Sequence, residues 1–75
     1  MVIRIKKVDY DSIVRYCLDG LPDESCGLIA GFTDGDVKVI EKVYFLTNLD
    51  HNNVHFTMSP KEQFVAVKDA RSLGL

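Results

Sequence analysis

One carboxylate in the sequence stands where a protein could use it for proton transfer. Glu24 lies in the segment Leu21–Gly31, where a helix that stops near Pro22 passes into a small, apolar strand. A carboxylate at the start of a covered strand can face a cleft and act as a general acid or base. The same position also suits a solvated turn residue or an acceptor for backbone N–H groups, which is the more common case. Asp23 beside it could fill either role equally well.

The two histidines are four positions apart, as His51 and His55. On a helix this spacing would place both on one face, but Asn52, Asn53 and Val54 between them disfavour a helix. In an extended chain, residues four apart are separated by about 13 Å, which is too far for two short side chains to share a metal ion. We therefore expect no metal site here, and we expect His55 to be a strand residue with a polar tip.

The two cysteines, Cys17 and Cys26, are predicted to lie on a helix and in a strand. The chain has no CxxC motif, so core packing is favoured over a redox or metal role for both. The segment Gly27–Gly31 is a strand rather than a strand-to-helix turn, so it is not a phosphate-binding loop. No Ser, His and acid arrangement for nucleophilic catalysis can be singled out.

The N-terminal elements follow from apolar periodicity. Val2–Lys6 alternates polar and apolar residues, which predicts a short strand. Asp9 or Asp11 can cap the helix that follows, and Gly20 and Pro22 stop it. Its predicted apolar face comprises Tyr10, Ile13, Val14, Cys17, Leu18 and Leu21.

The centre of the chain predicts a hairpin. Residues 25–32 form a nearly continuous small and apolar run, typical of a strand covered on both faces. The glycines at both ends of Gly27–Gly31 indicate that something approaches the backbone closely. Asp34-Gly35 is a strong turn signal, and Val37–Thr47 is the returning strand.

The C-terminal third predicts a loop over 48–53, a short strand over Val54–Met58 and a second helix. Ser59, Pro60 and Glu62 form a helix start, with a cap, a proline at the first position and an acid three residues after the cap. The helix should end near Leu73, with Gly74 as its C-terminal cap. Its predicted inward face comprises Phe64, Val67, Ala70 and Leu73, and the predicted element order is β-α-β-β-β-α.

Composition narrows the function classes. With 75 residues, of which 47% are hydrophobic and 27% charged, the chain is one small globular domain and not a disordered segment. Its net charge of −2, with scattered basic residues, argues against a nucleic-acid partner. No apolar run approaches the roughly 18 residues that span a membrane, and no signal peptide is evident. Two cysteines without a secretion signal indicate reduced thiols and a cytoplasmic location.

The segment Pro22–Gly31 resembles the JAMM/MPN metalloprotease family, in which a helix ends in a Pro-x-Glu-x-Cys-Gly-Leu-Leu-x-Gly pattern. The likeness covers essentially all 75 residues and favours the stand-alone prokaryotic members. Further matches, in the same order and spacing, are Asn48, Phe56 with Ser59 and Pro60, Phe64, and residues 71–75.

The resemblance implies an α/β (α+β) domain with a curved, mostly antiparallel sheet flanked by two helices, in an incomplete JAMM/MPN (cytidine-deaminase-like) fold. Active members are zinc-dependent isopeptidases or peptidases that cut after the tails of ubiquitin-like or sulfur-carrier proteins. Such a tail is therefore the expected partner of the parent protein, and zinc is its expected cofactor. Glu24 matches the family glutamate that acts as general base towards the zinc-bound water.

This sequence departs from the family at the metal ligands. In the family a His-x-His segment, a Ser and an Asp follow the second helix, whereas this sequence ends at Leu75, about where that strand should begin. His51 and His55 precede the helix and do not match those ligands. We expect residues 1–75 to be the N-terminal portion of such a domain, without metal ligands, cofactor or peptidase activity of its own. Open sheet edges would then lead copies to self-associate.

Two other classes of function stay open. One is a non-catalytic MPN-type interaction module, although retention of Glu24 argues mildly for the enzyme. The other is a different small α/β binding domain that shares only the strand Cys26–Gly31. A structure without a helix packed against a sheet that contains residues 25–47 would favour this last class.

Overall fold

The computed structural model describes residues 2–51 and 53–75. It is an α+β arrangement of two helices and a three-stranded sheet of order β1-β3-β2. β1 runs parallel to β3, and β2 runs antiparallel to it. The predicted α/β (α+β) class is confirmed at this level, but the sheet is mixed because one of its two pairings is parallel. In chain order the elements are β1 (Val2–Arg4), α1 (Lys7–Gly20), β2 (Cys26–Asp34), β3 (Val37–Leu46) and α2 (Pro60–Ser72).

The hairpin of β2 and β3 forms as predicted. Asp34 pairs with Val37, so Gly35 and Asp36 make a two-residue loop, in which Gly35 has a φ of 60°. The close approach predicted at the strand glycines is also confirmed. A Cβ on Gly31 would collide with the carbonyl oxygen of Val39, next to an irregularity in the strand register. These positions accept only glycine without a shift of the neighbouring strand.

The predicted strand over Val54–Met58 is wrong. In the described residues of this segment, a single isolated bridge joins Met58 to Asn48. The Leu49 amide donates to the Thr57 carbonyl at 2.8 Å, and the Thr57 amide donates to the Asn48 side chain at 3.2 Å. Because a side chain takes the place of a strand partner, the segment is a closed loop. His55 is accordingly an exposed loop residue and not a strand residue.

Helix α1 begins earlier than predicted. Lys6 is the N-cap, without a side-chain cap, and its carbonyl accepts from the amides of Asp9 and Tyr10, both at 3.0 Å. The predicted cap by Asp9 or Asp11 is therefore wrong, whereas the end at Gly20 is confirmed. Along the predicted apolar face only Ile13 is half-buried, and the remaining five side chains are exposed.

Helix α2 has the predicted ends and a different inner face. The Ser59 side chain accepts from the Glu62 amide at 3.3 Å. At the other end Gly74, with a φ of 80°, donates to Arg71, and Leu75 donates to Ala70. These two bonds form a Schellman cap. The predicted inward face is wrong, since three of its four residues are exposed: Phe64 (68%), Val67 (44%) and Leu73 (54%).

Polar contacts explain the orientation of α2. Ala66 is the buried residue of the helix, and it lies between Glu62 and Asp69 on one helical face. Glu62 binds Thr47, and Asp69 binds Tyr44, so both acids turn towards β3. This face of α2 packs against the sheet, so the larger apolar residues of the helix are exposed to solvent.

The core between sheet and helices is small. Among the described residues, Cys26, Ile40, Leu46 and Ala66 are the buried apolar ones, and no large side chain is fully buried. Core packing is confirmed for Cys26, but Cys17 is exposed. No helix in the described ranges is long and apolar enough to cross a membrane.

Candidate functional site

Glu24 lines an open cleft where α1 ends and β2 begins. The cleft has a volume of about 260 Å³ and is bounded on the far side by the end of β3. The Glu24 side chain is half-buried, and among the described residues its carboxylate has no hydrogen-bond or ion-pair partner. The other residues that line the cleft include Tyr16, Asp19, Asp23, Thr47, Asn48 and His51.

Asn48 holds the backbone of Glu24 in place. This side chain is 9% exposed, and its Nδ2 donates to the Glu24 carbonyl at 2.9 Å. Its Oδ1 accepts from the amides of Asp50 at 3.0 Å and Thr57 at 3.2 Å. One buried amide therefore joins the segment that carries Glu24, just before β2, to both ends of the loop 48–58. In the sequence, only the family pattern indicated Asn48. No neighbouring residue signals that its side chain bonds to a backbone group 24 positions away.

The two neighbouring acids differ in their surroundings. Asp23 Oδ2 lies 3.7 Å from His51 Nδ1, whereas the Glu24 carboxylate stays without a partner in the described part of the chain. His51 has a φ of 48°, in the left-handed region. Local composition left Asp23 and Glu24 equivalent, and the family pattern favoured Glu24. In the structure, Glu24 is the one of the two without an ion-pair contact to a described residue.

The histidines do not converge. His55 Nδ1 lies 3.1 Å from Asp50 Oδ2, which also accepts from the Thr57 hydroxyl at 2.5 Å. Each histidine thus contacts its own aspartate. Over residues 2–51 and 53–75, no three His, Cys, Asp or Glu side chains group closely enough to hold a metal ion. The residues described here do not fit a zinc site.

A second polar contact fastens the cleft wall to α2. Glu62 accepts from the Thr47 amide at 2.7 Å and from the Thr47 hydroxyl at 2.9 Å. Sequence analysis identified Glu62 as a residue of the helix start. It did not predict that the Glu62 carboxylate accepts hydrogen bonds from Thr47. On the other side of the same strand end, the Tyr16 hydroxyl donates to the Leu46 carbonyl at 2.5 Å. Both helices are thereby tied to the end of β3.

The free thiol of Cys26 is buried at the start of β2, next to the cleft. Burial, and after it the negative charge of Glu62, raises the pKa of Cys26 above its ordinary value. Burial likewise raises the pKa of Tyr16. A raised pKa lowers the thiolate fraction at neutral pH, which agrees with a packing role for this buried side chain.

Comparison with known proteins gives one close structural likeness. No family profile and no curated protein matches the chain. The chain is similar to the solution structure of a protein from Desulfitobacterium hafniense, with 42% sequence identity and a TM-score of 0.82. The match covers 99% of this chain and 50% of the other, so the chain spans about half the length of that protein.

Proposed function

We propose that this chain is the N-terminal portion of a JAMM/MPN-type zinc isopeptidase domain, and that Glu24 is its general base. The substrate class is the C-terminal tail of a ubiquitin-like or sulfur-carrier protein. The observation that supports this proposal is the free carboxylate of Glu24 in an open cleft, next to an Asp23 that contacts His51. The family pattern around Pro22–Gly31 supports the same residue.

The surroundings of Glu24 suit proton transfer. A general base needs free lone pairs, access to the reacting group and a fixed position. Glu24 is half-buried and lines the cleft. Asn48 Nδ2 donates to the backbone carbonyl of Glu24 at 2.9 Å, which holds the residue in position. In the proposed reaction the carboxylate takes a proton from the attacking water and returns it to the leaving amine. This proton transfer is the contribution of the present chain.

The metal ligands are assigned to a second segment. Since the described residues hold no metal-binding group, we place the zinc of the parent protein on residues outside this chain. The relative from D. hafniense has about as much chain again beyond the matched half. The isolated chain is accordingly expected to bind no zinc and to cleave no peptide bond. We also propose a cytoplasmic location, where the free cysteines stay reduced.

A chimera tests the role of Glu24. This chain is joined to the remaining half of the D. hafniense relative, and zinc content and cleavage of a ubiquitin-like fusion are measured. The Glu24→Gln variant should lose about 10²–10⁴-fold in turnover while it keeps its zinc, because only the proton acceptor is removed. Asp23→Asn is the matched control and should retain most activity. Retained turnover in Glu24→Gln would remove Glu24 from the mechanism.

A non-catalytic interaction module is the second candidate. The exposed apolar side chains of α2 favour it, because an assembly partner needs such a surface whether or not zinc is bound. The discriminating measurement is the zinc content of the chimera. A folded chimera without zinc and without cleavage supports the module and contradicts the isopeptidase. The third class is a different small α/β binding domain that shares only the strand Cys26–Gly31. A structure without a helix packed on the sheet would favour it, whereas here the Tyr16 and Phe45 rings lie 4.7 Å apart between α1 and β3.

A further inference from the structure

The side of α2 that faces away from the sheet is apolar and open. We call it the α2 outer face. Phe64 is 68% exposed and Val67 is 44% exposed, and both line a shallow groove of about 620 Å³. A groove of this kind on a helix has the form of a packing surface without its partner. The α2 outer face consists of Pro60, Gln63, Phe64, Val67, Lys68 and Arg71.

The charges around the α2 outer face have one sign. Lys68 and Arg71 border the groove, and no ion pair within the described ranges involves either of them. The two acids of the helix point the other way, because Glu62 binds Thr47 and Asp69 binds Tyr44. The face is therefore an apolar strip with a cationic border. It is complementary to an apolar surface with carboxylates at its edge.

We infer that the α2 outer face is the docking site for a second polypeptide segment, the counterpart of the half of the D. hafniense protein that this chain does not match. The match covers one half of that relative, and its other half is of about the same length. Two copies of the present chain fit less well. A symmetric contact through this face would bring Lys68 and Arg71 of both copies together, and like charges repel.

The experiment mixes the present chain with the unmatched half of the D. hafniense protein, prepared as a separate polypeptide and refolded together with it. Sedimentation velocity should show a one-to-one complex, and the backbone amide resonances of α2 should shift in the labelled chain. Phe64→Asp should weaken the complex by about tenfold or more, since it places a charge in the apolar contact. Val8→Asp is the control, because Val8 on α1 is as exposed, at 67%.

Each result decides the inference. Because Phe64 is exposed, the Phe64→Asp variant should keep its fold, which circular dichroism checks. The double variant Lys68→Glu with Arg71→Glu should also weaken the complex. Absence of a complex, or equal loss in Val8→Asp, would overturn the inference. So would a homodimer, or binding to anionic vesicles, that Phe64→Asp abolishes. Binding is measured without turnover, so these outcomes are independent of the role proposed for Glu24.

Discussion

At the scale of single residues, a few polar side chains set the geometry of the cleft. Asn48 connects the Glu24 carbonyl to two amides of its own loop, and Glu62 accepts from both donors of Thr47. Asn48 is itself buried, and removal of a buried hydrogen-bonding side chain leaves its partners unsatisfied. Removal of Asn48 or Glu62 should therefore have larger effects than removal of the exposed ion pairs on α1, Lys7–Asp11 and Arg15–Asp19.

Asn48→Ala should destabilise the fold by about 1–3 kcal/mol, because the Glu24 carbonyl and the Asp50 and Thr57 amides lose their partner. The free energy of unfolding from urea titration measures this. Asn53→Ala is the control, since Asn53 is exposed, and it should change stability by less than about 0.5 kcal/mol. Equal stability of the two variants would show that Asn48 does not hold the loop.

Tyr44 should ionise late. Desolvation, followed by the hydrogen bond to Asp69 at 2.6 Å and the charge of that carboxylate, raises the pKa of Tyr44 from 10.0 to about 12. A raised pKa means that the folded state holds the proton more tightly. The stability from this contact is complete below pH 10 and is lost as the pH rises towards about 12.

Asp69→Asn tests this assignment, because it removes the negative charge and keeps the shape. The phenolate absorbance of Tyr44 should appear at lower pH in this variant than in the unmodified chain. Lys42 lies 3.7 Å from the same carboxylate, so Lys42→Met shows whether the cation contributes. An unchanged titration in Asp69→Asn would mean that Asp69 does not control the proton of Tyr44.

At the scale of elements, polar anchors decide which side of each helix meets the sheet. The face of α2 that carries Glu62, Ala66 and Asp69 rests on β3, although the opposite side has the larger apolar residues. The sheet is constrained in the same way by its backbone, because Gly31 lies against the Val39 carbonyl. Two substitutions measure these constraints.

Glu62→Ala should destabilise the fold by about 1–2 kcal/mol, since the Thr47 amide and hydroxyl lose a charged acceptor at the end of β3. Lys61→Ala is the neighbouring control in the same helical turn and should be close to neutral. Thermal unfolding followed by circular dichroism compares the two. If both variants melt together, the contact between Glu62 and Thr47 does not contribute to stability.

Gly31→Ala should destabilise the hairpin by more than about 2 kcal/mol, because its Cβ would meet the Val39 carbonyl and force the two strands apart. Thr33→Ala on the same strand is exposed and serves as the control. Amide hydrogen exchange along β3 reports the effect directly. Unchanged protection of the amides around Val39 in Gly31→Ala would contradict the close approach.

At the scale of the whole molecule, the fold has little core for its surface. No large side chain in the described ranges is fully buried, whereas Val8, Leu21 and Phe64 are more than 60% exposed. Small domains of about this length bury only roughly 60% of the surface of the unfolded chain. The molecule should therefore be marginally stable unless a further segment covers it.

Leu46→Ala and Phe64→Asp should differ sharply in the isolated chain. Leu46 is 4% exposed, so its truncation should reduce the free energy of unfolding by about 2–4 kcal/mol. Phe64 has no core contact to lose, and its substitution should change stability by less than about 0.5 kcal/mol. Urea unfolding of both variants checks this, and a large loss in Phe64→Asp would show that the α2 outer face is packed within the chain.

Self-association through open sheet edges is the second expectation at this scale. β1 and β2 are the edge strands of the three-stranded sheet, and edge strands offer unpaired backbone groups to other chains. Sedimentation equilibrium at high protein concentration tests it, and a persistent monomer would count against it. Because β2 carries Ile29 with 56% exposure, Ile29→Lys should reduce any association that uses this edge.

Features that depend on local chemistry could be predicted from the amino-acid sequence. The hairpin at Asp34-Gly35, the stop of α1 at Gly20 and both ends of α2 follow from turn and cap residues. These signals act within a few residues, so one chain segment carries all the information. The same holds for Gly31, where the absence of a side chain already indicated a close approach.

Features that depend on partners distant in sequence became visible in the folded chain. Periodicity placed Phe64 and Val67 inside, yet contacts of Glu62 and Asp69 with β3 turned them outward. The predicted strand near Thr57 became a loop because Asn48 took its backbone donor. Local chemistry left Glu24 and Asp23 equivalent and only the family pattern favoured Glu24, whereas in the fold His51 contacts Asp23. Long-range polar contacts of this kind have no local sequence signal, because either partner could equally face solvent.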